Sequence, residues 1–278
     1  AMEGIPITAL KIDKEQGLIT GIVVETGGST SLIKYFKENE PCIFMGPSGK
    51  ATDIPKNETV IFIGGGRGNQ PLTALAESFS NNNCRVIFFA GYKKNSFIVD
   101  QNRMENSAYK MIFAIEEERP NLKLSKKSSE QFHGNVIEAI KHYFSLSNFS
   151  QEASKAKSQL LIDRIFTIGN DDLMHEIAKL RHKNTIPSFS KAKYAITSLN
   201  SPMQCMMKGV CARCLQKRKN KNGKTEYFYS CAEQDQDIDN LDFNHLHYRC
   251  QQNSLSEKVS KLWINHLQKR YINTKVHL

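Results

Sequence analysis

The chain has 278 residues, 40% of them hydrophobic, enough to bury one or two cores, which excludes a disordered chain and a disulfide-stapled miniature. No stretch approaches the ~20 consecutive apolar residues of a membrane span and no basic-then-apolar leader opens the sequence, so a cytoplasmic protein with no membrane partner is expected. The formal net charge of +10 raises nucleic acid as a partner, but Lys and Arg are spread along the chain, with one local run at Lys217, Arg218, Lys219 and Lys221 and an acidic stretch after it at Glu233, Asp235, Asp237, Asp239 and Asp242. That contrast points to a docking surface or a solvated loop, not to a nucleic-acid track.

From Leu18 to Glu25 the residues are β-branched and apolar, and the chain then turns at Gly27-Gly28 into Ser29-Thr30-Ser31-Leu32-Ile33, a small-residue helix start. A second strand is predicted over Pro41 to Met45, ended by Gly46-Pro47-Ser48-Gly49 and a polar linker through Pro55 and Lys56. Thr59 to Ile63 is a continuous β-rich run into Gly64-Gly65-Gly66-Arg67-Gly68-Asn69-Gln70-Pro71-Leu72, after which Leu72, Leu75, Ala76 and Phe79 keep helical spacing. Short buried-type strands are predicted at Arg85 to Ala90, Met111 to Ile115 and Arg164 to Ile168, with helices over Asn135 to Phe144 and Asp172 to His182. Such alternation predicts an α/β fold whose parallel sheet is covered on both faces. After Pro187 the composition shifts to Ser and Lys, then to cysteines, and helical periodicity returns only over Ser254 to Arg270. The domains expected are therefore 1–56, a nucleotide-binding 57–198, a four-cysteine module at 199–250 and a helix within 251–278.

Two motifs carry chemistry. Cys205-x5-Cys211-x2-Cys214-x16-Cys231 places three thiols in one loop and returns a fourth after a long excursion. Iron–sulfur clusters take thiolate ligands, and the plant-type [2Fe–2S] loop has closely similar spacing. A structural zinc site commonly uses two short-spaced knuckles, and only one C-x2-C pair exists here; zinc and unligated thiols stay open as alternatives. Cys42 and Cys84 are read as core residues. The turn Gly64-Gly65-Gly66-Arg67-Gly68-Asn69-Gln70-Pro71 suits a dinucleotide, because bare backbone can approach a pyrophosphate at a helix N-terminus. Its third fingerprint glycine is missing, and Pro71 is expected at the first helical position. Gly27 to Ser31 could cradle a phosphate by the same physics, or Ser29 could simply cap a helix.

Ile5-Pro6-Ile7-Thr8, Gly27-Gly28-Ser29-Thr30, Gly46-Pro47, Gly64-Gly65-Gly66 with Pro71, and the terminal cysteines follow one another as they do in the ferredoxin reductase superfamily. The chain resembles that superfamily over nearly its whole length, and within it the flavoproteins that serve dihydroorotate dehydrogenase, sulfide dehydrogenase and glutamate synthase. The resemblance implies an FAD-binding β-barrel, here partial, before a ferredoxin-reductase-like nucleotide domain. It places Thr8 at the isoalloxazine, Gly28, Ser29 and Thr30 at the FAD phosphates, and Gly64, Gly65, Gly66, Gly68 and Pro71 at the NAD(P)H pyrophosphate. It implies hydride exchange between NAD(P)H and FAD, single-electron steps through a [2Fe–2S] cluster on Cys205, Cys211, Cys214 and Cys231, and a partner oxidoreductase domain or subunit. No catalytic acid or base is expected.

Departures from the pattern are specific. Ile5 stands where the flavin motif has Arg, and residues 1–56 are too few for a complete barrel. Either the polypeptide extends further, as the opening Ala1-Met2 suggests, or a partner or second copy completes the barrel, or flavin binding has weakened. Ile168-Gly169-Asn170 replaces the Cys-Gly-Pro turn beside the nicotinamide, leaving Gly169 as the matched residue. Gly91-Tyr92-Lys93-Lys94 offers no acid to a ribose hydroxyl, which leans toward NADP(H). Two other readings remain: a zinc-bearing interaction module, and a degenerate, non-catalytic reductase subunit.

Overall fold

A strand exists only where its backbone finds a partner, and the N-terminal segment finds few. In the computed structural model, which describes residues 5, 7–25, 27–47, 49–117, 119–145, 161–183, 186–199 and 209–275, strand β1 (Ala9–Asp13) pairs antiparallel with β2 (Leu18–Gly21). The turn between them is held by Asp13 Oδ1, which accepts from the amides of Glu15 and Gln16 at 3.1 and 2.9 Å. The predicted strand over Leu18 to Glu25 thus stops at Gly21, and a short helix α1 (Gly28–Leu32) follows. No strand forms over Pro41 to Met45: with no ladder partner among the described residues, Ile43, Phe44 and Met45 are extended and exposed, Ile43 at 92%. Cys42 is likewise exposed, not a core residue, whereas Cys84 is buried as expected.

The chain divides into two compact units, Ala1–Lys50 with Asn200–Gln234 and Asp242–Leu278, and Ala51–Leu199 with Asp235–Leu241. The second holds a seven-stranded sheet. Its members are β3 (Thr59–Gly65), β4 (Arg85–Tyr92), β5 (Lys110–Ile115), β6 (Ser129–His133), β7 (Arg164–Ile168), β8 (Tyr194–Ser198) and β11 (Asp235–Asp237). The order is β11-β8-β7-β3-β4-β5-β6, parallel except for β11. Helices α2 (Asn69–Asn81), α3 (Gln101–Ser107), α4 (Val136–Ser145), α5 (Asp171–His182) and α6 (Pro187–Lys191) connect the strands. The central strands read as unbroken apolar runs because both faces are buried. Phe62 anchors one face, its ring 5.1 Å from Phe79 of α2, 5.9 Å from Phe88 and 5.8 Å from Phe166.

The acidic stretch after Glu233 is not a solvated loop. Asp235 to Asp237 form the antiparallel edge strand, with Gln236 buried, and Arg181 of α5 donates to Asp239 at 2.7 Å. A short, charged edge strand resists pairing with another chain, which accounts for its composition.

Glu105 of α3 is fully buried and organises the loop before β6. One carboxylate oxygen accepts from Gln101 Nε2 at 2.7 Å; the other accepts from Ser125 N, Ser125 Oγ, Lys126 N and Ser129 Oγ at 2.9–3.0 Å. Burial alone would raise its pKa, but these donors hold it below the ordinary carboxylate value. A depressed folded-state pKa contributes stability above the unfolded value of about 4.3, lost as pH falls through the folded value. Glu105→Gln is therefore expected to cost about 1–3 kcal/mol in urea unfolding at pH 7. The gap between variant and parent should narrow at pH 3; a gap independent of pH would count against this role.

The remaining elements belong to the first unit: the antiparallel hairpin β9 (Leu215–Lys219) and β10 (Thr225–Tyr229), and the helix α7 (Phe243–Lys275). The periodicity read over Ser254 to Arg270 is the middle of this longer helix.

Candidate nucleotide site and cysteine module

From β3 the sheet grows through β4, β5 and β6 on one side and through β7 and β8 on the other. Strand order reverses between β3 and β7, and in open parallel sheets a crevice for ligands opens at the carboxyl ends of two such strands. Gly64 and Gly65 end β3, Gly66 to Gly68 form one tight turn, and α2 begins at Asn69. Gly169 ends the neighbouring β7 segment, with its Cα 3.7 Å from where a Cβ on Gly65 would lie. Residues matched from distant parts of the sequence thus meet at the switch point.

The glycines there are not equivalent. Gly66 has φ +54, and nothing lies within 4 Å of where its Cβ would be, so its backbone faces open space beside the start of α2. A Cβ on Gly68 would overlap the carbonyl oxygen of Ile168 in β7. The close helix–strand approach that the missing third glycine would permit is met by Gly68. Pro71 is the third helical residue, not the first; this is still the first turn, where an amide has no intrahelical acceptor to lose.

Asn69 is the residue that sequence reasoning missed. Fully buried, it donates from Nδ2 to Gly66 O at 3.0 Å and Gly91 O at 3.1 Å, clipping the turn to the end of β4. Its signal was present as a polar residue heading a helix directly after a glycine turn. Tyr92 at the end of β4 is buried, and that burial pushes its phenol well above the ordinary range, so it remains neutral. Lys94 pairs with Glu117 at 3.2 Å. An acid thus compensates one of the two lysines behind the NADP(H) leaning. Asn170 caps α5, its Oδ1 accepting from Leu173 N at 3.0 Å.

The residues matched to FAD lie ahead of β1 and in α1. Thr8 is exposed ahead of β1. Thr30 Oγ1 accepts from Gly27 N at 3.0 Å and donates to Gly27 O at 3.3 Å, while Ser31 Oγ donates to Gly28 O at 2.7 Å. Ser29, Thr30 and Ser31 are buried, and a Cβ on Gly28 would lie 2.9 Å from Ser260 Cβ and 3.1 Å from Ile264 Cδ1 of α7. The hydroxyls serve the helix's own first turn and α7 covers it.

Cys214 directly precedes β9 and Cys231 follows β10 after Ser230; Leu215 pairs with Tyr229, and Ser230 N donates to Cys214 O at 3.1 Å. The long excursion is therefore a hairpin that returns the last cysteine beside the third, both buried. Cys211 lies in the preceding turn, where Gly209 (φ +77) and Ala212 (φ +51) are left-handed. For Ala212 this costs roughly 1–2 kcal/mol. Arg249 of α7 holds the turn, donating from Nη2 to the carbonyls of Ala212 and Arg213 at 2.8 and 2.9 Å. Gly209 N–H donates to Cys231 Sγ at 3.2 Å. A backbone amide aimed at sulfur stabilises thiolate, the form in which cysteine binds a metal, although the sulfurs of Cys211, Cys214 and Cys231 are not drawn together within 4.8 Å of one another. Cys205 lies outside the described residues.

No protein-family model matches the chain. It is 29% identical over 259 residues to an uncharacterized protein of Rickettsia prowazekii, an alignment that takes in 93% of this chain but spans only 26% of that protein's length. It is 23% identical over 227 residues to the electron transfer subunit of dihydroorotate dehydrogenase B (NAD(+)) of Fusobacterium nucleatum, covering 81% of this chain and 75% of that one. A chain of the NADH-dependent reduced ferredoxin-NADP oxidoreductase, solved to understand flavin-based electron bifurcation, superposes with a TM-score of 0.69 at 19% identity, over 97% of this chain and 83% of its own. The fold is ferredoxin-reductase-like, and the homology to an electron-transfer subunit is distant. Among the described residues no helix is long and apolar enough to cross a membrane.

Proposed function

We propose that this chain is an electron-transfer module of an NAD(P)H-dependent oxidoreductase, in which the turn Gly64 to Gly68 binds the nucleotide pyrophosphate and the four cysteines hold a [2Fe–2S] centre. The observation that carries this reading is the left-handed, uncovered Gly66 at the sheet's switch point, next to a helix N-terminus. A bound nicotinamide would supply hydride chemistry, and a cluster would supply one-electron storage. The chain's own residues shape and anchor: Asn69 fixes the turn, Gly68 lets α2 approach β7, and Gly209 and Arg249 set the cysteine loop. The partner is a further oxidoreductase domain or subunit, consistent with the Fusobacterium relative's description as an electron transfer subunit.

The test is anaerobic purification followed by iron, sulfide and zinc analysis, a visible spectrum, and calorimetric titration with NADH and NADPH. Iron and sulfide in equal amounts with saturable nucleotide binding are expected. One equivalent of zinc with no iron would replace the electron-transfer reading with the zinc interaction module.

Flavin is expected only when more polypeptide completes its site, supplied in cis, by a partner or by a second copy. β1 and β2 form a two-stranded sheet on which Ile12, Leu18 and Ile19 are exposed. A small sheet with exposed apolar side chains invites a covering partner. FAD content and solution mass check this together: an isolated monomer holding stoichiometric FAD would refute it.

A further inference from the structure

Helix α7 is apolar on two opposite lines. On one, Leu246 and Ile264 are buried; they are five turns apart, and Ile264 contacts α1. On the other, Leu255, Val259 and Leu262 recur at i, i+4 and i+7, Tyr248 lies one heptad earlier and Trp263 alongside, each at least 58% exposed. A helix that buries one face and leaves a second apolar stripe in water is built to receive something.

The chemistry of the occupant follows from charge. In sequence, helix α7 carries six Lys and Arg, at 249, 258, 261, 269, 270 and 275, against one acid, Glu257. Segments 209–234 and 242–275 together carry twelve Lys and Arg against four Asp and Glu, an excess of eight in a chain whose net charge is +10. The net charge is thus concentrated here even though basic residues occur throughout. A second copy would bring like charge to like charge. A partner with apolar residues at helical spacing and acidic flanks satisfies both the stripe and its rim.

We propose that the outward face of α7 is the docking site for an acidic amphipathic helix of a partner protein. This goes beyond the cofactor reading and does not depend on it. Arg249 joins the same helix to the cysteine loop, so a partner held on the stripe is anchored to the element that also positions Cys211.

Trp263 is the single tryptophan of the chain and lies on the stripe, which makes its fluorescence a local reporter. The probe is a synthetic heptad peptide with Leu at the core positions and Glu at the flanks, added to the 278-residue chain. A saturable blue shift of Trp263 emission is expected, with half-saturation raised about tenfold or more by Leu262→Glu, an exposed position where folding should survive, and by raised salt. Circular dichroism of Leu262→Glu confirms that the helix is retained. No shift, or an equal shift with a Lys-flanked peptide, would overturn the proposal. So would a shift that grows with protein concentration alone, which marks self-association, or one elicited only by phosphatidylserine-containing vesicles or by duplex DNA.

Discussion

Replacing Gly66 by Val is expected to weaken NAD(P)H binding about 100-fold while leaving the fold and the cysteine centre intact, a loss of roughly 2.8 kcal/mol at about 1.4 kcal/mol per factor of ten. Two effects act in the same direction. The backbone at Gly66 has φ +54, a region that costs an L-residue roughly 1–2 kcal/mol and a β-branched one more, so Val would pull the turn locally toward negative φ and away from the shape that presents the α2 amides. The new isopropyl group would also project into the space beside the first amides of α2, where a pyrophosphate oxygen must approach. Gly68→Ala provides the contrast, because its Cβ would collide with the backbone of Ile168 and so should lower the unfolding midpoint of the whole sheet unit. Calorimetric titration and urea denaturation of both variants separate the two roles. Unchanged nucleotide affinity in Gly66→Val would make the turn purely structural.

How much of this was legible in the sequence depended on how local each signal was. Thr59 to Ile63, Arg85 to Ala90 and Met111 to Ile115 announced themselves because fully buried parallel strands leave unbroken apolar runs, and all three are observed with extensions of one or two residues at an end. The edge strands did not. β6 reads Ser-Glu-Gln-Phe-His and β11 reads Asp-Gln-Asp, composed for the solvent side of a sheet and made strands only by the neighbour they pair with. The segment Pro41 to Met45 fails in the opposite way: its residues favour a strand, but among the described residues no neighbour pairs with it. At the site, glycine spacing located the turn, yet the division of labour between Gly66 and Gly68 and the clip from Asn69 to Gly91 depend on how closely β7 and β4 approach, which no local pattern encodes. The packing beside Gly28 is equally non-local: Ser260 and Ile264, far along the chain, lie where its Cβ would be.

Cys231→Ser is expected to abolish the metal centre, with iron and sulfide falling at least tenfold, while nucleotide binding is retained. The change exchanges sulfur for oxygen at a buried position with almost no change of shape, so the β9–β10 ladder and the bond from Ser230 to Cys214 should survive. What is lost is the soft ligand that iron–sulfur centres require. Cys84→Ser is the matched control: it is also buried, but in the sheet unit's core, and it should leave metal content unchanged. Gly209→Ala isolates the loop's geometry from its ligands. All four thiols remain, but a methyl group at φ +77 would press on the Tyr229 ring at 2.8 Å and tilt the amide that donates to Cys231 Sγ. A loop built around a cluster should therefore respond with a shifted reduction potential, since hydrogen bonds to sulfur help to set it. A variant with the parent's potential and iron content would assign Gly209 to the turn alone, and Cys231→Ser with full iron content would remove that thiol from the ligand set.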